Sequence, residues 1–388
     1  MADFDVIVYG ATGFTGKLVA EYLVAHARET PIRWAMAGRS RTKLEAVRDE
    51  IGAPADTPLF TANADDPAAL RELAARTAVV LTTVGPYQLY GEPLLAACVE
   101  TGTGYVDLCG EPAWMRQMID RYEARAKETG ARIVFSCGFD SIPFDLGVWS
   151  VEQEAIRRFG RPAPRVKGRI RSMKGTFSGG TFASARATMA AAAREPGIAK
   201  LMIDPFALTP GFHGPAQPNG MIPHHDAAID AWVAPFVMAV INTKNVHRTN
   251  FLSGHGWGTD FTYDEMMVAP GIGELGKAAA EALAKLNPMG GDKGPAPGEG
   301  PSKEERENGH YEVAFIAEMP DGAHVTASVH GDKDPGYGST SRMIAQAALC
   351  LAHDVGPGGG IWTPGALMAE PLRRRLEAHA GLRFTIED

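Results

Sequence analysis

The stretch Gly10-Ala11-Thr12-Gly13-Phe14-Thr15-Gly16 follows an apolar run at residues 5–9 and precedes a segment of helical composition at residues 17–27. In this context Gly10 permits a tight turn, Gly13 lets a pyrophosphate approach the backbone, and Gly16 allows close packing of the helix. The start of the helix adds unpaired N–H groups and positive potential. The GxxGxxG spacing is a variant of GxGxxG, and it predicts a Rossmann-type dinucleotide-binding unit with residues 10–16 at the cofactor.

Short β-branched runs alternate with helical segments through the first third of the chain, a pattern typical of a parallel sheet with helices on both faces. The predicted strands are residues 5–9, 32–37, 59–62, 79–84, 105–108 and 132–136. The predicted helices between them are residues 17–27, 42–50, 67–76, 92–100 and 113–127. Six strands with helical crossovers predict an α/β fold with a doubly wound parallel sheet.

The length of 388 residues indicates two domains, because single hydrophobic cores stop growing at roughly 250 to 300 residues. The alternating pattern ends near Asp145, so we expect the nucleotide-binding domain at residues 1–145 and a second domain at residues 146–350. Residues 287–308 are rich in Pro, Gly and charge, which predicts a mobile surface loop. Residues 351–388 form a C-terminal segment.

The charge balance and the cysteines narrow the class of protein. With 38 basic and 46 acidic residues the formal net charge is -8, which argues against a nucleic-acid partner. Four cysteines without a CxxC pair suggest neither a disulfide framework nor a zinc site. Strand-like sequence starts at Asp5, which leaves no room for the charged and apolar regions of a signal peptide. The stretch most like a membrane segment, residues 231–241, is far shorter than the ~20 residues that span a bilayer. We expect a cytoplasmic protein without a transmembrane segment, and peripheral membrane association stays open.

The end of the second predicted strand distinguishes between the two nicotinamide cofactors. A unit specific for NAD carries Asp or Glu there, about 20 residues beyond the glycines, and its carboxylate accepts a hydrogen bond from the ribose 2′-OH. Arg39 occupies this position, and Ser40 and Lys43 follow it. A guanidinium, a hydroxyl and an ammonium can surround a 2′-phosphate. The residues therefore predict NADP(H), with Arg39, Ser40 and Lys43 among its ligands.

Small and polar residues follow the fourth, fifth and sixth predicted strands, at the sheet edge where ligands of open α/β folds lie. We expect the cofactor to contact Thr83, Val84, Gly85, Pro86, Asp107 and Gly138 there. Asp140 and Ser141 stand just before a predicted helix, as Glu111 does before another. Helix capping and catalysis are therefore both open for Asp140 and Ser141.

Three common kinds of catalytic site are missing from the sequence. No Tyr is followed four residues later by Lys, so the proton-donor pair of short-chain dehydrogenases is absent. No Ser lies in a GxSxG motif, which excludes a nucleophile-elbow hydrolase. His224-His225-Asp226 lacks the i,i+4 spacing of a helical metal site, and we expect no metal.

Several motifs together resemble the saccharopine dehydrogenase-like family. They are GATGFTG at residues 10–16, GRS at 38–40, VGPY at 84–87, YVDLCGE at 105–111 and CGFDSIPFDLG at 137–147. Within that family, the chain is similar to the trans-acting enoyl reductase branch, through APFVMA at residues 234–239, Asn242, VHRTN at 246–250 and GGIWTP at 359–364.

The resemblance implies an inserted α/β domain with a mixed sheet and a C-terminal segment that returns to the Rossmann domain. It also implies reduction of a carbon-carbon double bond in an acyl or polyketide chain, presented by a carrier protein or synthase during lipid biosynthesis. An enolate would form, with Tyr87 and Ser141 as the candidate donors that stabilise its oxygen. The proton for the α-carbon would come from Tyr87 or from water. The oligomeric state stays open, with a homodimer as one alternative.

The second domain is rich in aromatic residues and Met, which suits an apolar substrate. We expect a cleft lined by Trp232, Pro235, Phe236, Met238 and Trp257. Two alternatives stay open: an imine or amino-acid dehydrogenase of the same fold, and a non-catalytic NADP-binding protein associated with lipids.

Overall fold

The computed structural model describes residues 2–176, 178–286, 296 and 298–387. Its first sheet has seven strands, all parallel, in the order β13-β6-β5-β4-β1-β2-β3. These strands are β1 Phe4–Tyr9, β2 Trp34–Gly38, β3 Leu59–Thr61, β4 Thr77–Thr82, β5 Gly104–Val106, β6 Arg132–Val134 and β13 Gly360–Trp362. The six predicted strands and the α/β fold class are confirmed.

Helices connect the strands of this first sheet in the predicted alternation. They are α1 Phe14–Glu29, α2 Arg41–Glu50, α3 Pro67–Ala75, α4 Tyr87–Tyr90, α5 Glu92–Thr101 and α6 Pro112–Thr129. The strand order reverses at β1, which has β4 on one side and β2 on the other. The crevice at the carboxyl ends of these strands is the expected ligand site of such a sheet.

A second sheet also has seven strands, in the order β14-β12-β11-β7-β10-β9-β8. Its strands are β7 Arg165–Lys174, β8 His224–Asp226, β9 Ala231–Pro235, β10 Thr262–Val268, β11 His310–Glu318, β12 His324–Gly331 and β14 Leu382–Glu387. Only β7 and β10 pair in parallel, and the other neighbours are antiparallel. This confirms the mixed sheet that the family resemblance implies.

The second half of the chain contributes the remaining helices of the described residues. They are α7 Ile142–Phe159, α8 Gly179–Arg194, α9 Pro196–Ile203, α10 Ala239–Leu252, α11 Gly273–Ala284, α12 Lys303–Glu307, α13 Thr340–His353 and α14 Pro364–Arg375, with π-helical turns at Pro335–Ser339 and Leu376–Ala380. Helix α7 packs on β11 and β12, and a Cβ atom on Gly147 would collide with the Phe315 ring. Gly147 therefore lets α7 lie close to the second sheet. Within the described residues, no helix is both long and apolar enough to cross a membrane.

The C-terminal part of the chain contacts both sheets. Helix α13 packs on α1, β1, β4 and β5, and β13 extends the first sheet beside β6. Strand β14 instead pairs with β12 at the edge of the second sheet, with Phe384 opposite Val329. The return toward the Rossmann sheet therefore begins before residue 351, at α13, and ends before β14. The predicted domain bounds stay predictions.

The segment predicted as a mobile loop, residues 287–308, is only partly described, since 287–295 and 297 lie outside the described residues. The remainder is more structured than its composition suggested. Ser302 and Glu305 form a capping box at the start of α12, and the Glu299 carbonyl accepts the Gly179 N–H at 3.1 Å. Glu299 thus contacts the start of α8, and the mobility of the segment stays a prediction.

Candidate functional site

The glycine-rich turn has the geometry that a pyrophosphate site needs. Gly10 has φ +91°, and its N–H and that of Ala11 donate to the Ala37 carbonyl at 2.9 and 3.2 Å. A Cβ atom on Gly16 would collide with the Gly10 carbonyl oxygen, so only Gly lets α1 start here. Gly13 is the N-cap of α1 without a side-chain cap, and the first turn carries no acidic residue. The N–H groups in the first turn of α1, after Gly13, are therefore available to bind an anion.

The end of β2 carries the positive charge that a 2′-phosphate requires. Arg39 and Lys43 are exposed, whereas Arg41 is held by Glu45 at 2.8 Å and by the Leu59 carbonyl at 3.0 Å. Ser40 caps α2 by accepting the Lys43 N–H at 3.3 Å, which places its hydroxyl at the same corner. These residues fit NADP(H), and their contacts with it stay predictions.

The loop after β4 lies directly against the glycine-rich turn. The Thr83 hydroxyl donates to the Gly10 carbonyl at 3.4 Å, and a Cβ atom on Gly10 would lie 2.7 Å from a methyl group of Val84. The Gly85–Pro86 peptide is cis. Thr83 and Val84 therefore lie beside the glycine-rich turn, and the contacts of residues 83–86 with a cofactor stay predictions.

Asp107 is placed differently from its predicted role at the cofactor. Its carboxylate is fully buried and accepts the N–H groups of Cys109 and Ser136 at 3.0 and 2.9 Å and the Tyr105 hydroxyl at 2.9 Å. Burial raises its pKa to about 7. Asp107 thus ties the end of β5 to the end of β6, and direct contact with a cofactor would require these bonds to break.

A cavity of about 720 Å³ lies between the carboxyl edge of the first sheet and the elements of the second half. Thr15, Thr83, Gly85 and Gly138 line its nucleotide side. One face of α8 lines the opposite side with Thr181, Ser184, Ala185, Thr188 and Met189. Met173, Met202, Phe236, Val237, Met238 and Ile241 make the remaining wall largely apolar. The predicted nucleotide site and a predominantly apolar pocket are therefore continuous.

Two of the five residues predicted for the substrate cleft line this cavity, and the other three, Trp232, Pro235 and Trp257, are not part of its wall. Phe236 and Met238 are part of its wall. Trp232 instead packs beside α11, where its ring lies 5.9 Å from the Lys277 ammonium, and Trp257 packs on Phe261 with ring centroids 5.3 Å apart. These residues therefore do not all line one cavity, because Trp232 and Trp257 pack against different parts of the structure, and their roles at a substrate stay predictions.

Tyr87 borders the cavity, but its hydroxyl is already engaged. It accepts the Leu108 N–H at 3.0 Å and donates to the Thr82 carbonyl at 3.4 Å. Burial, together with nearby Asp107, holds the pKa of Tyr87 well above its usual range. These contacts favour a structural role, and proton donation by Tyr87 stays a prediction.

Ser141 lies in a buried polar network behind the cavity wall. Its hydroxyl accepts from the Asn245 amide and donates to Asn242 at 3.5 Å, and Asn242 donates to Glu265 at 2.9 Å. The Tyr263 hydroxyl reaches the other Glu265 oxygen at 2.9 Å. Burial raises the pKa of Glu265 to about 8, so this acid is protonated at neutral pH. The network joins α7 to α10 and β10.

The cavity also holds Tyr337, which the sequence did not single out, and Asp140, whose role the sequence left open. Tyr337, from the π-helical turn, bonds with Thr181 at 2.8 Å and accepts the Ser178 N–H. Asp140, for which capping and catalysis were both open, lines the cavity and does not cap α7. Burial raises the pKa of Asp140 to about 7. Asp140 could be found from its place after the sixth strand, whereas no local signal marks Tyr337.

Residues 6–134 match the family model of the saccharopine dehydrogenase NADP-binding domain. The trans-acting enoyl reductase of Mycobacterium bovis (strain BCG / Pasteur 1173P2) is 38 % identical over 96 % of this chain and 96 % of its own. That of Mycobacterium ulcerans (strain Agy99) is 36 % identical over the same shares. A relative from Mycobacterium tuberculosis (strain ATCC 25618 / H37Rv) is 39 % identical over 97 % of this chain and 96 % of its own.

Solved structures agree on the fold. Apo saccharopine dehydrogenase (L-Glu forming) from Saccharomyces cerevisiae has a TM-score of 0.53 at 12 % identity, over 99 % of each chain. Homospermidine synthase from Legionella pneumophila, in complex with NAD, has a TM-score of 0.51 at 9 % identity, over 98 % of this chain and 91 % of its own. The matched NADP-binding domain confirms the predicted cofactor, NADP(H). The chain belongs to the family of trans-acting enoyl reductases, NADP-dependent oxidoreductases with the fold of saccharopine dehydrogenase.

Proposed function

We propose that the protein reduces the carbon-carbon double bond of an enoyl thioester, with NADPH as the reductant and an acyl or polyketide chain as the substrate. The observation that carries the proposal is the continuity between the glycine-rich turn and the apolar cavity. A double bond held in that cavity would lie next to the nicotinamide half of the cofactor. Membership in the enoyl reductase family supports the same reaction.

The protein's own residues bind and orient the reactants. Residues 10–16 would hold the pyrophosphate at the start of α1, and Arg39 and Lys43 would hold the 2′-phosphate. When bound, the cofactor supplies a hydride for the β-carbon of the enoyl group. The loops after β4, β5 and β6 would place the nicotinamide against the cavity, while α8 excludes water from its other side.

The lining of the cavity favours an acyl chain over a dicarboxylate amino acid. Four Met side chains and Phe236 contribute to the apolar wall, and each buried methylene is worth about 0.8 kcal/mol. Among the described residues, Arg186 is the single basic side chain that lines the cavity, together with the acids Glu111 and Asp140. A dicarboxylate needs several basic partners, so amino-acid dehydrogenase chemistry is the weaker candidate.

The name of the relatives, trans-acting, supports a substrate that a separate protein presents. We include in the proposal that the acyl chain arrives bound to a carrier protein or a synthase, in lipid biosynthesis. The reaction would take place in the cytoplasm, since the four cysteines are unpaired and buried. Peripheral membrane association and a homodimer stay open predictions.

The decisive experiment follows NADPH absorbance during incubation with enoyl thioesters of increasing chain length, and identifies the saturated product by mass spectrometry. Parallel reactions offer saccharopine with NADP⁺, and 2-oxo acids with amines and NADPH. We expect turnover of the enoyl thioesters alone. Turnover confined to the amino-acid substrates would instead support the dehydrogenase alternative, and cofactor binding without any turnover would support the non-catalytic one.

A further inference from the structure

Reduction of an enoyl thioester adds a hydride to the β-carbon and a proton to the α-carbon, so the reaction needs an acid close to the double bond. Tyr87, predicted as a proton donor, and Ser141, predicted to stabilise the enolate oxygen, both have hydroxyls that are engaged elsewhere. Tyr87 bonds with backbone groups of Leu108 and Thr82, and Ser141 bonds with two amide side chains behind the cavity wall. An acid on the cavity surface itself is therefore the better candidate.

Two carboxylic side chains line the cavity within the described residues, Glu111 and Asp140. The Glu111 oxygens accept the backbone N–H groups of Tyr87 and Gln88, each at 2.9 Å. Glu111 thus caps the start of α4 and holds the loop after β4. No described residue donates a hydrogen bond to the Asp140 carboxyl group, which leaves it available to a ligand.

Asp140 lies at the part of the cavity wall next to which the reacting carbon atoms are expected. It follows β6 at the carboxyl edge of the first sheet, beside Gly138. A Cβ atom on Gly110, in the loop after β5, would lie 3.6 Å from its Oδ2. The Phe139 N–H donates to the Thr340 hydroxyl at 2.9 Å, which anchors this loop to α13. The backbone that carries this carboxyl group is therefore anchored at the carboxyl edge of the first sheet, where the nicotinamide is expected.

The surroundings of Asp140 keep a proton available near neutral pH. The titratable groups that face it are the Cys109 thiol and the Tyr337 hydroxyl, both uncharged because burial raises their pKa values. Glu111 and Arg186 line the same cavity. Burial raises the pKa of Asp140 itself to about 7. An acid with a pKa near the working pH is suited to general acid catalysis.

We infer that Asp140 is the catalytic acid that protonates the α-carbon, an assignment that rests on the proposed enoyl reduction. Hydride addition to the β-carbon moves the π electrons of the double bond into an enolate. The Asp140 O–H bond then breaks, its proton forms the new C–H bond at the α-carbon, and the enolate returns to a thioester. The Asp140 carboxylate takes a proton from water, and NADPH leaves as NADP⁺. Each turnover therefore consumes one hydride from the cofactor and one proton from solvent.

The test compares Asp140→Asn, Asp140→Glu and a control, Asp56→Asn, whose side chain is exposed in the loop after α2. Asparagine has the shape of the protonated acid, so NADPH affinity and thermal stability should stay at wild-type levels. Loss of a general acid typically costs about 10²- to 10⁴-fold, so we expect kcat to fall by that factor with little change in KM. Asp140→Glu should retain part of the wild-type rate, and the control Asp56→Asn should retain all of it.

Two further measurements separate an acid from a merely structural residue. Wild-type kcat/KM should fall above pH 7, because the acid must carry its proton, and Asp140→Asn should lose this dependence. In D₂O the wild-type product should carry deuterium on one face of the α-carbon, whereas water would label both faces in Asp140→Asn. If Asp140→Asn keeps the wild-type rate, the pH dependence or the facial selectivity, the assignment of Asp140 is overturned and the proposed function is not affected. Absence of enoyl turnover by the wild-type enzyme overturns the proposed function as well.

Discussion

The guanidinium carbon of Arg306 lies 5.7 Å from the centroid of the Phe14 ring. Phe14 is the first residue of α1, and its ring also meets Tyr337 edge-on with centroids 5.3 Å apart. A Cβ atom on Gly300 would collide with the same ring. Residues 298–306 and the π-helical turn therefore enclose the side chain that follows Gly13, so a segment distant in sequence supports the nucleotide turn.

Arg306→Ala should lower both stability and cofactor affinity, because it removes this contact and the bond from Arg306 to the Pro301 carbonyl at 2.6 Å. A cation–π contact and a hydrogen bond of this kind are together worth about 1 kcal/mol. We expect thermal unfolding at a lower temperature and a weaker NADPH Kd by about fivefold. Lys303→Ala is the matched control, since Lys303 lies on the same helix and only reaches Glu307 at 3.8 Å. Equal changes in unfolding temperature and NADPH Kd for the two substitutions would contradict the idea that Arg306 supports the nucleotide turn.

Arg39→Asp should reverse the cofactor preference. Arg39 is exposed at the end of β2, where a charged hydrogen bond to the 2′-phosphate is worth roughly 1.5 to 3 kcal/mol. NADPH affinity should therefore fall about tenfold to a hundredfold, while NADH affinity stays level or rises. Titration of both cofactors measures this. The control Arg28→Asp, at the C-terminal end of α1 and away from the glycine-rich turn, should leave the ratio of NADPH to NADH affinity unchanged. An unchanged ratio in Arg39→Asp would contradict the role assigned to Arg39.

Stability should decline as pH rises, in part through Glu265. Burial raises the pKa of Glu265 to about 8 in the folded protein, from an ordinary value of 4.5. Between these values the folded state binds more protons than the unfolded chain, so stability is complete below pH 4.5 and is lost as pH rises through 8. Asp107, Asp145 and Glu152 add to the same trend, because burial raises their pKa values to about 7 or 8.

Glu265→Gln should flatten this decline, because the amide keeps partners for Asn242 and Tyr263 and has no proton to lose. Thermal melts from pH 5 to pH 9 measure the effect. The variant should lose less melting temperature than the wild type across this range, with Glu21→Gln, an exposed acid, as the control. Parallel curves for variant and wild type would mean that Glu265 is already ionised in the folded protein.

Longer enoyl chains should react faster until they fill the cavity of about 720 Å³. Each methylene buried against Phe236 and the Met side chains contributes about 0.8 kcal/mol, close to fourfold in kcat/KM. Phe236→Asp should depress kcat/KM most for the longest substrates, whereas Leu275→Asp, at an exposed site on α11, should not. A series of thioesters supplies the comparison. A preference for short chains would contradict the apolar cavity as the acyl site.

The sequence by itself determined the nucleotide-binding half of the molecule. The glycine spacing, the six apolar runs and Arg39 depend on local geometry, since a βα turn with close helix packing requires Gly at fixed positions. The strands, the fold class and the cofactor could therefore be predicted. The mixed second sheet was accessible only through family resemblance, because several of its neighbouring strands, such as β7 and β10 or β12 and β14, are far apart in sequence.

Only the tertiary structure decided which residues meet at the cavity. Phe236 lines it while Trp232, four residues earlier, packs beside α11. Tyr337 reaches Thr181 across more than 150 residues of sequence. Likewise, Tyr87 and Asp107 carry polar groups in suitable motifs, but burial and backbone partners engage them. Hydrogen bonding and packing between distant segments determine which polar groups remain free, and residue spacing along the chain does not contain that information.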